Sequence, residues 1–124
     1  MYSDVVRDHF SRPRNVGELD RPDAVGRAKN EADGDQVQLH LHIQSGVITE
    51  ARMKVMGCVA AIASTSLLTE MIQGMTVEQA AAFSREALTQ ALGGLPENKV
   101  RCSLTCIDAL REALDARPLP EKGR

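Results

Sequence analysis

At 124 residues, 43% hydrophobic and 26% charged, the chain has the size and balance of one compact domain, expected over residues 1–117 with residues 118–124 as a flexible tail. The net charge is -2, the 15 Lys and Arg are scattered, and one Tyr, two Phe and no Trp leave nothing for bases to stack on, so nucleic acid is not the expected partner. No apolar run approaches the roughly 20 residues of a membrane span and the first residues carry no apolar signal core, so no membrane association and a cytoplasmic location are expected.

Residues 3–10 read as a short helix with Ser3 or Asp4 as cap, stopped by Pro13, Asn15 and Gly17. A polar loop to about Ala24 follows, then a weak strand over residues 24–29. Between Gln36 and Ile43 apolar and polar residues alternate strictly, with Val37, Leu39, Leu41 and Ile43 on one face. Ser45-Gly46 reads as a hairpin turn into a partner strand over residues 47–56, with Val47, Ala51, Met53 and Val55 on the covered face. The opposite face, bearing His40 and His42, is expected to be wet.

After Gly57 the period becomes helical: Val59, Ile62, Ala63, Leu67, Met71 and Ile72 form a stripe ending at Gly74. Ser64, Thr65, Ser66, Thr69 and Glu70 fall on the side expected to face water. Thr76 to Gln79 spells a capping box, and Ser84 caps a further helix closing at Gly93-Gly94. Leu95-Pro96 is linker. The last helix is expected from about Ser103 to Ala116, with Leu104, Ile107, Leu110 and Leu114 inward. Strands first and helices after give an α+β layout with helices on one sheet face.

Cys58, Cys102 and Cys106 are an odd number of cysteines, which favours reactive thiols or metal ligands over a disulfide framework. Cys58 stands at a strand-to-helix junction, where unpaired N–H groups and the helix dipole favour an anion. Cys102, 44 positions later, stands just before the last helix, a similar place. Cys106 is four residues beyond it, on the side of Leu110, where a packing role competes with ligation. Asp33-Gly34-Asp35 reads alone as a solvated turn. Beside thiols it also offers oxygen ligands, and mixed sites of that kind hold zinc or iron. It does not continue into a calcium loop, because position 37 is Val.

Several separated blocks resemble the IscU-type iron–sulfur cluster scaffolds, equivalent to the N-terminal module of NifU. They are Asp8-His9-Phe10 with Pro13-Arg14-Asn15-Val16-Gly17, then Gly34-Asp35, then Gly57-Cys58 with Ala61-Ile62-Ala63-Ser64 and Thr69-Glu70, then Leu95-Pro96, Lys99 and Cys102-Ser103. The resemblance implies a three-stranded antiparallel sheet with helices against it and ligand-bearing segments meeting at one end. It also implies a [2Fe-2S] cluster as cargo, a cysteine desulfurase as sulfur donor, apo iron–sulfur proteins as acceptors, and a carrier rather than an enzyme. A homodimer is compatible with it.

Carried over by position, Asp35, Cys58 and Cys102 match family ligands. Asp33 stands where the first cysteine belongs and Arg101 where a histidine belongs. Asp33 or Cys106 then completes the metal set, and Arg101, which cannot ligate, favours the Cys102 thiolate. The segment that an Hsp70-type chaperone recognises in the family reads Leu95-Pro96-Glu97-Asn98-Lys99 here and keeps only its ends, so the resemblance does not carry chaperone docking over. The spacing from Cys58 to Cys102 lacks the long insertion of the zinc-binding SufU branch. The competing expectations are a zinc-binding persulfide acceptor and a degenerate paralogue acting as an interaction module.

Overall fold

The computed structural model describes residues 2–116, apart from the side chains of Asn98, Cys102 and Ala116; the tail expected over residues 118–124 lies outside the described residues. Helix α1 (Asp4–Ser11) starts on Ser3, whose Oγ accepts from the Val6 N–H at 3.2 Å. Strands β1 (Ala24–Asn30), β2 (Asp35–Gln44) and β3 (Val47–Met56) form one antiparallel sheet in the order β1-β2-β3. Ser45 and Gly46 both have positive φ, 53° and 78°, the turn whose twist suits a two-residue hairpin. Helix α2 (Val59–Ile72) then lies across β3, and α3 (Val77–Ala81) and α4 (Arg85–Ala91) lead to α5 (Val100–Ala116), which lies across β1 and β2. The α+β layout and the three-stranded antiparallel sheet are as expected, as is the capping box on Thr76.

The core is the layer between the sheet and α2 and α5. Leu39, Leu41, Ala51 and Met53 from the strands meet Ala63, Leu68 and Ile72 of α2 and Ile107, Leu110 and Ala113 of α5. Register pairs Val37 with Val55, Leu39 with Met53 and Leu41 with Ala51. His42 then faces Glu50 and Ile43 faces Ile48, leaving Thr49 as the extra residue of a bulge. The bulge exchanges faces, so Ile48 is buried and Val47 only half-buried, the reverse of the alternation read from sequence.

Two surfaces expected to be wet are covered. The outer sheet face is crossed by the segment before β1, which bonds Asn15 and Gly17 to Met53 and places the Leu19 N–H 3.3 Å from His40 Nδ1. His40 is consequently only 6% exposed, while His42 stays half-buried with Nε2 3.0 Å from the Asp20 carbonyl. Helix α2 is buried nearly all round because α1 packs on it. Its hydroxyl residues tolerate this by bonding back: Ser64 Oγ donates to the Ala60 carbonyl at 2.6 Å and Thr65 Oγ1 to the Ala61 carbonyl at 2.7 Å. Ser66 accepts from the Arg14 N–H at 2.9 Å and lies 2.8 Å from His9 Nδ1.

Burial pushes the His9 imidazole below its usual pKa of 6.5, and Arg14 adds to the shift while Glu70 and Asp8 oppose it. The folded state therefore prefers neutral His9. Its contribution to stability is full above 6.5 and is lost as pH falls through the lower folded value. Denaturant titrations between about pH 5 and pH 7 should show stability rising with pH, and less steeply in His9→Gln. An unchanged slope in that variant removes His9 as the cause.

Candidate metal centre

Helix α5 begins three residues earlier than expected, following a 3-10 turn at Glu97–Lys99 that feeds directly into it. Cys102 therefore belongs to the first turn of the helix, beside Arg101, rather than preceding it; its side chain lies outside the described residues. At the same end of the sheet, Asn30 faces Asp35 in register and the four residues 31–34 close the turn, with Gly34 at φ 76°. The Asn30 amide oxygen accepts from the Ala32 N–H at 3.0 Å and holds the turn's shape.

Asp35 opens β2 and is completely buried. Its Oδ1 accepts from the Cys58 N–H at 3.0 Å, and its Oδ2 lies 3.7 Å from Cys58 Sγ. The carboxylate thus occupies the end of α2 where N–H groups lack helical partners. This closeness requires Gly57: a Cβ there would stand 2.3 Å from Asp35 Oδ1 and 2.9 Å from its Cγ. The sequence showed the glycine and the two ligand candidates, but not that the glycine is what lets them touch.

The Asp33 carboxylate accepts from two side chains. Arg101 donates from Nε to Oδ2 at 2.8 Å and from Nη2 to Oδ1 at 3.3 Å, and Asn30 Nδ2 donates to Oδ2 at 2.8 Å. The Arg101 hydrogen bond holds the Asp33 carboxyl below its usual pKa range, with Asn30 and Lys99 contributing. The two positions at which the chain departs from the pattern it resembles are thus bonded to each other, which residues 68 positions apart do not announce in sequence.

Cys106 is completely buried in the core, with Sγ 3.3 Å from the Ser103 carbonyl. Burial pushes its thiol pKa up to about 12, with Ser64 and Thr65 of α2 opposing. These are the surroundings of a packing thiol. Among the described residues, no group of three or more His, Cys, Asp and Glu could hold a metal, a statement that does not include the Cys102 sulfur. Asp35 and Cys58 bring one carboxylate and one thiol together at the start of α2, two groups of the kinds that mixed oxygen–sulfur metal sites use.

The fold has close counterparts. The N-terminal part of a nitrogen-fixing NifU-like protein from Brucella abortus superposes with a TM-score of 0.75 at 22% identity, covering 91% of each chain, a likeness of fold. In sequence, the chain is 44% identical over 114 residues to iron-sulfur cluster assembly scaffold protein IscU 1 of Archaeoglobus fulgidus, covering 92% of this chain and 74% of that one. It is 40% identical over 117 residues to the IscU scaffold protein of Haemophilus influenzae, covering 91% and 92%. Residues 1–119 match the family described as NifU-like N terminal domain. With a family match over nearly its full length and the three-stranded fold to go with it, the chain belongs to the NifU-like N-terminal domain family.

Proposed function

We infer that this chain is an iron–sulfur cluster assembly scaffold: a carrier rather than an enzyme, which receives sulfur from a cysteine desulfurase, holds a labile [2Fe-2S] cluster as cargo and passes it to apo-proteins. The family and the relatives named as scaffolds support the general role. The observation that carries the reading for this chain is the contact between Asp35 and Cys58.

Cys58, Cys102 and Asp35 are the ligands in this reading. The thiolates bind iron strongly. The carboxylate is a harder ligand and more easily displaced, which suits a cargo that must leave. Asp35 also keeps Cys58 in place by accepting its N–H, so the α2 start does not drift when the cargo is gone. Cys106 stays in the core in either state, where its high pKa keeps it a thiol.

Anaerobic incubation of the protein with ferrous iron, cysteine and a cysteine desulfurase tests this. A coloured product with sulfide-to-iron charge-transfer absorption and equal iron and acid-labile sulfide is expected. A colourless product overturns the reading, and one tightly bound zinc unmoved by iron and sulfide favours a zinc-binding sulfur acceptor instead.

A further inference from the structure

We propose that Asp33 and Arg101 form a metal-independent clasp that ties the 31–34 turn to the first turn of α5, and that Asp33 is therefore a positioning residue and not a ligand of the cargo. The inference rests on the scaffold reading for the identity of the neighbouring ligands.

The fork of Arg101 engages both carboxylate oxygens, and Asn30 adds a second donor to Oδ2. Charge-assisted, two-pronged bonds of this kind are among the stronger hydrogen bonds available to side chains. An incoming ion would have to break them and leave the guanidinium behind, close to the metal and with no capacity to coordinate it. The Asp33 side chain is 17% exposed and that of Arg101 52%, so water competes for the pair mainly from the arginine's side.

Position gives the clasp its purpose. Asp33 is two residues before Asp35, and Arg101 is one residue before Cys102. The pair thus joins the two segments that carry proposed ligands, across 68 positions of sequence. A metal bound at the site would cross-link those segments only while present. A carrier that empties needs its ligand segments held near one another in the empty state too, and an ion pair does this without any metal. Preorganisation of that sort lowers the ordering cost of the next loading.

Charge reversal tests the pair, because Arg at position 33 can pair with Asp at position 101. Asp33→Arg, Arg101→Asp and the double variant should be compared by thermal melting of the metal-free protein. Each single reversal should lower the melting temperature, more at low salt than at high, and the double should recover most of it. Single reversals that melt like the parent overturn the clasp itself. Cobalt(II) titration of the anaerobic protein separates clasp from ligand in Asp33→Asn and Arg101→Gln, which both break the ion pair while only the first removes a carboxylate. A positioning role predicts cobalt affinities within about threefold of each other. A loss more than about tenfold greater in Asp33→Asn makes Asp33 a ligand and overturns the proposal. If a reversal prevents folding, melting of these two neutral variants decides the clasp. A parent protein that binds no cobalt counts against the scaffold reading, while the melting arm still decides the clasp.

Discussion

Gly26→Ala is expected to be the most destabilising glycine-to-alanine change among the described residues. A Cβ at position 26 would stand 1.9 Å from the Ala109 carbonyl oxygen, 2.5 Å from the Ala113 nitrogen and 2.8 Å from the Ala113 Cβ. The first two are backbone atoms of α5, so no side chain can swing aside; the helix has to lift away from β1. Overpacking typically costs 1–3 kcal/mol, and more where the backbone must move, against about 5–15 kcal/mol for a whole domain. A loss of about 3 kcal/mol or more is expected, which lowers the melting temperature of a chain this size by roughly 10 °C. Thermal denaturation followed by far-ultraviolet circular dichroism measures it. Melting within about 2 °C of the parent would mean that α5 does not rest on β1 at Gly26. The consequence extends to the site, because α5 carries both Arg101 and Cys102.

Gly57→Ala should strike the site directly. Its Cβ would fall 2.3 Å from Oδ1 and 3.1 Å from the Cβ of Asp35, whose side chain is short and fully buried. To escape, Asp35 must rotate and give up its bond to the Cys58 N–H, leaving a buried carboxylate without that partner. Stranding a buried polar group costs about 1–3 kcal/mol, and more when it is charged. Chemical denaturation should register a loss of about 2 kcal/mol or more, and reconstituted protein should hold little iron. The double variant Gly57→Ala with Asp35→Ala removes the two closest contacts, leaving only the one at 3.1 Å to the Cβ of residue 35, and should regain part of the stability without regaining iron. If the double variant is no more stable than Gly57→Ala alone, the clash with Asp35 is not the cause.

What could be read from the sequence follows physical range. The β2–β3 hairpin was legible because alternation, a Ser-Gly turn and a second alternation are all local, and the strand limits 47–56 are those observed. The caps on Ser3, Thr76 and Ser84 were legible for the same reason. The bulge at Thr49 was not, since it is fixed by how two strands pair. Burial of Ser64 and Thr65 was hidden because hydroxyls that bond to the preceding turn lose their need for water, and that of Ser66 because its partners, Arg14 and His9, lie more than 50 positions away. His40 was misplaced on a wet face because the covering segment lies some 20 positions away in the chain. At the site, Asp35 and Cys58 were expected together and are in contact. That Asp33 and Arg101 pair with each other was not legible, because the two lie 68 positions apart.

The central claim is that sulfur from two distant segments, with Asp35 beside it, holds one cargo. Iron and acid-labile sulfide, counted after anaerobic reconstitution of the parent and of Cys58→Ser, Cys102→Ser and Cys106→Ser, test it most directly. Convergence of the two thiolates predicts a loaded, coloured parent, near-complete loss in Cys58→Ser and in Cys102→Ser, and full loading in Cys106→Ser. Full loading in either of the first two variants, or loss of loading in a folded Cys106→Ser, would contradict it.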